Sequence, residues 1–314
     1  MLQLLIAGLT VGSEYGLIAL GIHIVLRATR VVNFAQGEFA IVGGLVALSC
    51  VESLHVSVWA ALIAAVLAGA ALGVAFELLV LRPAGRSGES GATIATIGTV
   101  FVLLYGHALV PGWGSDPHVL PAFTTASAAT PNTVGTSSAG TVVSDSVTLS
   151  LSKGASPLVI PKQSLWVLAL LALALVVLYA FFERTYFGKA IRAAADDPLG
   201  ARLIGIDVRT TRMIAVALGI ALAAYGGTII GPITLVGGAG GFALTIKGFV
   251  GAILGGLDSA AGCVAGGLLV GVLESFLTLQ LGSDAAEPVV YSLLLLMLLL
   301  RPQGLFGRRD AVRD

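Results

Sequence analysis

ERTYFGKAIRAAADDPLGARLIGIDVRTTRM, residues Glu183 to Met213, holds ten of the charged side chains in a chain that has only 17 acidic and 17 basic residues. Apolar runs flank it, Leu165 to Phe182 before and Ile214 to Ile230 after, each about long enough to cross a bilayer. A polar island therefore hangs between two membrane spans. Within it, Gly188 to Ala195 reads as a short helix. Pro198 suits the first turn of a second helix, and Gly205 suits its C-terminal stop. A capped helical loop of this kind is built to receive mechanical work from a soluble partner.

The 314 residues are 57% hydrophobic and 11% charged, with a mean hydropathy of +0.99. Soluble chains carry about 25% charged residues, so the sequence reads as an all-α polytopic membrane protein, with residues 1–314 forming one membrane domain. The formal net charge is zero, which gives no global field for nucleic acid. What matters is where the charges sit. Cys50 and Cys263 lie in apolar segments with no partner at metal or redox spacing, and both read as small buried hydrophobes. Arg27 is the first basic residue, so the chain lacks the charged leader of a cleavable signal and its first span is expected to stay.

Leu2 to Leu26 is that span. Arg27 and Arg30 follow it and place its end in the cytoplasm by the positive-inside rule. Gly8, Gly12 and Gly16 recur every four residues, the pattern that lets two membrane helices meet backbone to backbone. Glu14 lies in the same span. An ionisable group in mid-bilayer is costly, so Glu14 either faces protein or water on a substrate pathway or sits near the outer interface. Asn33 to Glu38, NFAQGE, brings Asn33, Gln36, Gly37 and Glu38 to the start of an apolar run, Phe39 to Val51, that is short for a span. Two readings stand: a broken or re-entrant helix beside the pathway, or a cytoplasmic turn capped by Asn33.

Val56 to Leu81 and Ala92 to Val110 read as further spans joined by a flexible turn at Gly85 to Gly91. His107 is expected at an interface. Residues 111–164 shift to Ser, Thr, Pro and Gly and read as an extracytoplasmic loop, with a strand or hairpin where Thr141 to Ser152 alternates. Leu235 to Gly241 reads as flexible backbone at the membrane edge. Phe242 to Leu257, holding Lys247, reads as a short or interrupted crossing. Gly262 to Leu281 and Pro288 to Leu300 complete the spans, and Arg301, Arg308, Arg309 and Arg313 form a basic tail. The count is eight or nine transmembrane or partly re-entrant helices, N-terminus outside and C-terminus cytoplasmic. Fourteen of the 17 basic residues then face inward.

No Gly-x-x-x-x-Gly-Lys-[Ser/Thr] phosphate loop, His-Glu-x-x-His pair or Gly-x-Ser-x-Gly elbow occurs, so ATPase, zinc and serine chemistry lack support in this chain. No metal site and no catalytic residue is expected. A channel or carrier that works alone competes with the membrane half of an ATP-driven importer.

NFAQGEF at Asn33 to Phe39, GKAIRAAADDPLGARLIGID at Gly188 to Asp207, GAILGGLDSAAG at Gly251 to Gly262 and RPQGLFG at Arg301 to Gly307 together resemble the permease subunits of branched-chain amino-acid ABC importers of the bacterial inner membrane. The likeness runs along nearly the whole chain. It implies a second permease subunit, homologous or identical, two cytoplasmic ATPase subunits that bind the ATP, and an external substrate-binding protein. It makes 183–213 the coupling loop, with Ala195, Asp196, Asp197, Pro198, Ala201, Arg202, Gly205 and Ile206 as the contact to the ATPase. It implies leucine, isoleucine and valine as cargo, with urea and short amides as alternatives known in related permeases. The chain departs from the family pattern in carrying Gln36 where a histidine is usual, and in the length of the 111–164 loop.

Overall fold

The computed structural model describes residues 1–114, 116–123, 146–149, 158–234, 236–238, 240–300 and 304–306. In chain order these form α1 (Leu2–Thr29), α2 (Gln36–Leu54) and α3 (Val58–Phe76). A π turn at Glu77–Leu81 then leads into the short α4 (Arg82–Ala84), followed by α5 (Gly88–Gly106). Strands β1 (Ser146–Leu149) and β2 (Leu158–Pro161) pair antiparallel. Helices α6 (Lys162–Arg184), α7 (Tyr186–Asp196), α8 (Pro198–Leu203), α9 (Val208–Ile230), α10 (Gly241–Gly255), α11 (Ala260–Leu281) and α12 (Ser283–Leu300) follow.

Among the described residues, six stretches are long and apolar enough to cross a membrane: α1, α2, α6, α9, α11 and the helical run Val58–Leu109. That run is 52 residues long and holds both α3 and α5. It reverses at Gly88, whose φ of 86° suits only glycine. At 15 residues, α10 is the short apolar helix the sequence suggested, and it is unbroken.

Helices α1 and α9 form the centre. In each, 72% of the most apolar window is buried, against 22% in α6, so α6 is left with an apolar outer face suited to lipid. The most extensive packing is α1 against α11. A Cβ at Gly12 would lie 2.9 Å from Leu268 Cα, one at Gly267 would overlap the backbone of Gly16, and one at Gly271 would overlap Gly12. The four-residue glycine spacing thus makes a backbone-to-backbone seam, as small residues do where dispersion rather than hydrophobicity drives association.

Several sequence expectations change. The segment after Asn33 is no broken helix: α2 runs uninterrupted from Gln36 to Leu54. The reading of a cytoplasmic turn fails as well, because Asn33, Gln36 and Glu38 are at most 1% exposed. Between Thr29 and Gln36 the chain turns at Arg30, which takes a left-handed φ of 59°. It then runs back along α1 until Gln36 meets Gly21. The returning part is non-helical, with a turn at Phe34 and Ala35, and the helix begins inside the protein.

The Gly85–Gly91 turn shrinks, since a 3-10 turn at Gly85–Ser87 leads straight into α5. His107 is buried, with its Nδ1 3.0 Å from the Leu103 carbonyl. Cys263 is buried and Cys50 half-buried. Val236 is 4% exposed and forms a two-bond bridge with His118 (2.7 and 2.8 Å), so the expected flexible edge is anchored there. Leu235 and Ala239 lie outside the described residues. So do Thr141 to Asp145 and Ser150 to Ser152 of the suggested hairpin, whose described strand Ser146–Leu149 pairs with Leu158–Pro161. Most of the 111–164 loop and the tail arginines Arg301, Arg308, Arg309 and Arg313 also lie outside them.

Candidate functional site

Three polar features interrupt this apolar bundle. The first is the 183–213 loop. Thr185 caps α7, its hydroxyl accepting from Gly188 N at 3.0 Å. A Cβ at Gly188 would overlap the Phe181 carbonyl, so only glycine lets α7 fold so tightly against the end of α6. Arg192 closes that corner on Glu183 at 2.7 Å, and Arg27 reaches Asp196 at 3.3 Å, tying the loop to α1. Ile191 and Ala194 face inward.

Asp197 caps α8 by accepting from Leu199 N and Gly200 N, each at 3.0 Å. Pro198 occupies its first turn. At the other end Gly205 N bonds Arg202 O (3.1 Å) and Ile206 N bonds Ala201 O (2.9 Å), with Gly205 at φ 88°. This is the 6→1 and 5→2 pairing of a Schellman stop. Asp207 then caps α9, bonding Thr210 Oγ1 at 2.6 Å and Arg209 N at 3.0 Å. The Thr210 hydroxyl, then the Arg209 amide, hold its carboxyl below the usual carboxylate range.

Every turn of the loop is therefore determined locally. Gly205→Val is expected to cost about 1–2 kcal/mol of local stability, the penalty of a left-handed β-branched residue. Faster amide hydrogen exchange across Leu199–Ile206, with the membrane helices unchanged, would register it.

Of the residues singled out by sequence, Asp196, Asp197, Arg202 and Gly205 are exposed, Ala195, Pro198 and Ile206 are half-exposed, and Ala201 is buried against the bundle. The sequence reading missed the apolar side of this loop. Leu199, Leu203 and Ile204 are 69%, 82% and 74% exposed. Their adjacency around a six-residue helix was the available signal.

The second feature is the buried start of α2. Asn33 Nδ2 donates to Gln36 Oε1 at 2.9 Å, and Asn33 Oδ1 accepts from Ala35 N at 3.1 Å. Gln36 Nε2 donates to the Gly219 carbonyl, in the middle of α9, at 2.7 Å. Gly37 N donates to Thr245 Oγ1 at 2.8 Å. These bonds satisfy a helix terminus that water cannot reach. Glu38 lies against the N-terminus of α10, where a Cβ at Gly241 would overlap its carboxyl carbon. Neither of its oxygens meets hydrogen-bond geometry with a donor among the described residues. Two helix N-termini thus converge on one carboxylate inside the protein, where their dipoles favour negative charge.

The third feature surrounds Lys247. Its Nζ lies 2.7 Å from both Glu274 Oε1 and Glu287 Oε1, and Tyr15 donates its hydroxyl to Glu274 Oε2 at 2.7 Å. Glu14 stands beside this cluster on the wall of a cavity of about 280 Å³. Asn33, Gln36, Gly37 and Glu38 line neither this cavity nor the larger apolar groove of about 560 Å³ between α1, α6 and α11. The structure therefore separates Glu14 from the other suspected pathway residues. Among the described residues no group of three or more His, Cys, Asp or Glu side chains is placed to hold a metal ion.

Two of the sequence motifs meet in space. Leu305 N and Phe306 N bond the carbonyls of Leu254 and Gly255 at the end of α10, and a Cβ at Gly304 would lie 2.5 Å from the Ile253 carbonyl.

A bundle of helices long and apolar enough to cross a membrane, with a buried polar centre and one capped loop between spans, defines a multi-pass membrane protein. The chain belongs to the family described as branched-chain amino acid transport system, permease component, whose model matches residues 4–300. It is similar to the high-affinity branched-chain amino acid transport system permease protein BraD of Pseudomonas aeruginosa, 31% identical over 98% of this chain and 96% of that one. The LivH permease protein of Escherichia coli K12 is 29% identical over the same shares. The probable branched-chain amino acid transport permease protein LivH of Methanocaldococcus jannaschii is 31% identical over 93% of this chain and 88% of that one. No solved structure matches.

Proposed function

We propose that this chain is the membrane-spanning subunit of an ATP-driven importer that moves branched-chain amino acids, or a closely related small solute, into the cell. A second permease, two ATPase subunits and an external binding protein complete the machine. ATP is bound by the ATPases, and this chain contributes passage and coupling. The orientation is N-terminus outside and C-terminus cytoplasmic, which brings the 183–213 loop to the ATPase side.

The observation that carries this reading is the exposed apolar patch of Leu199, Leu203 and Ile204 on a helix capped at both ends. Apolar side chains presented on a rigid polar loop mark a protein docking site. Helix α8 fits a groove on the ATPase, and the Arg27–Asp196 pair and Ile191 pass its movement to α1 and the bundle. Glu14, on the wall of the smaller cavity, is the polar side of the route that opens alternately to either face, while Asn33, Gln36 and Gly37 hold the start of α2 against α9 and α10.

The test is purification of the tagged chain from its native membrane, with the co-purifying subunits identified by mass spectrometry. The parent is expected to bring Walker-type ATPases and a second permease. Leu199→Glu with Leu203→Glu is expected to lose the ATPases at least tenfold while keeping the second permease. Undiminished ATPase recovery in that variant would refute the docking assignment. A homo-oligomer that moves solute without ATP would refute the importer reading itself.

A further inference from the structure

The cavity of about 280 Å³ is lined by Val11, Ile41 and Leu244 on its apolar side and by Glu14, Lys247 and Glu287 on its polar side. Glu14 is 6% exposed and makes no hydrogen bond or ion pair among the described residues. Lys247 is the only cation in the cluster and is already shared by Glu274 and Glu287. Three carboxylates therefore surround one ammonium, and the carboxylate left over faces the cavity. Glu287 is about half exposed, so the cavity reaches the surface. An ionisable group in a membrane span is retained where a partner is provided, and none is provided among the described residues.

From this geometry, we propose that Glu14 receives the α-ammonium of the cargo, while Val11, Ile41 and Leu244 receive its aliphatic side chain. This rests on the importer reading above and adds to it a named contact and the end of the cargo that is recognised. A monovalent organic ammonium fits the excess negative charge better than a metal ion, since no metal-holding group of three or more ligands is present among the described residues. A cavity of about 280 Å³ also accommodates one small amino acid.

The assembled importer, with Cys50 and Cys263 of this chain replaced by alanine, supplies the background for the test. In that background Ala243→Cys puts a thiol on the cavity wall. The thiol is expected to react at least tenfold faster with the cationic 2-aminoethyl methanethiosulfonate than with the anionic 2-sulfonatoethyl reagent. L-leucine and 3-methylbutylamine, which carry an ammonium, are expected to slow the reaction several-fold. 4-Methylpentanoate, which has the same side chain and no ammonium, is expected to leave it unchanged. Adding Glu14→Gln should abolish both the charge preference and the protection.

Equal protection by 4-methylpentanoate, or protection that survives Glu14→Gln, would overturn the assignment. Leucine uptake by the parent that lacks only the two native cysteines separates the two levels. A parent that imports leucine without protection at Ala243→Cys overturns this site alone. One that does not import leucine overturns the cargo reading and this proposal with it.

Discussion

Gly267→Leu is expected to prevent normal assembly of the membrane domain. A Cβ at Gly267 would overlap the backbone nitrogen and Cα of Gly16, and backbone held in a helix cannot swing aside as a flexible side chain does. Overpacking a well-fitted contact costs about 1–3 kcal/mol, and occasionally more. Leucine here must push α1 from α11 along the seam that also holds Gly8, Gly12 and Gly271, so the upper end of that range applies. The measurement is the monodisperse fraction and thermal midpoint of the purified protein in detergent. Gly98→Leu is the control, because a Cβ there meets nothing within 4 Å, and it is expected to stay within about 0.5 kcal/mol of the parent. If the two variants behaved alike, the seam would not be a determinant of the fold.

Arg212→Met is expected to have the other large effect. Glu77 sits at the first position of the π turn, its side chain 1% exposed, and Arg212 holds its Oε1 through Nη2 at 2.6 Å and Nε at 2.8 Å. The second carboxylate oxygen of Glu77 has no partner among the described residues. Removing the arginine leaves a buried charge uncompensated, which costs about 3–5 kcal/mol in comparable pairs. The double variant Arg212→Met with Glu77→Met replaces the pair by apolar groups and is expected to recover most of that loss. Thermal midpoints of the parent, the two single variants and the double variant form the required cycle. A single Arg212→Met variant as stable as the parent would remove this pair from the account of what joins the π turn to α9. Because Arg212 lies near the end of the 183–213 stretch, in the first turns of α9, the pair also fixes where that loop rejoins the bundle.

Neither prediction was readable from the chain alone, and the reasons differ. The glycine spacing of α1 and the run of glycines in α11 were visible, but one stripe does not name its partner helix. Glu77 and Arg212 are far apart in sequence, one inside a hydrophobic run and the other in the polar 183–213 stretch. The same holds for Lys247, Glu274 and Glu287, which come from three helices.

Sequence by itself determined the elements whose cause is local. Apolar runs fixed most membrane helices to within a few residues, because a bilayer demands length and hydropathy whatever the neighbours are. Pro198 and Gly205 fixed the ends of α8, because each restricts its own backbone. Tertiary structure alone decided where a helix begins inside the protein and which charges meet. NFAQGE is polar enough to suggest either an aqueous turn or a buried break. It is buried at the start of an unbroken helix, where Gly219 O and Thr245 Oγ1, contributed from far along the chain, satisfy the Gln36 amide and the Gly37 N–H. Glu14 looks in sequence like any ionisable residue in a span. Its position on a cavity wall, beside a lysine already taken by two other carboxylates, is a product of packing. Long-range partners set the free energy of every buried polar group, and a linear pattern does not contain them.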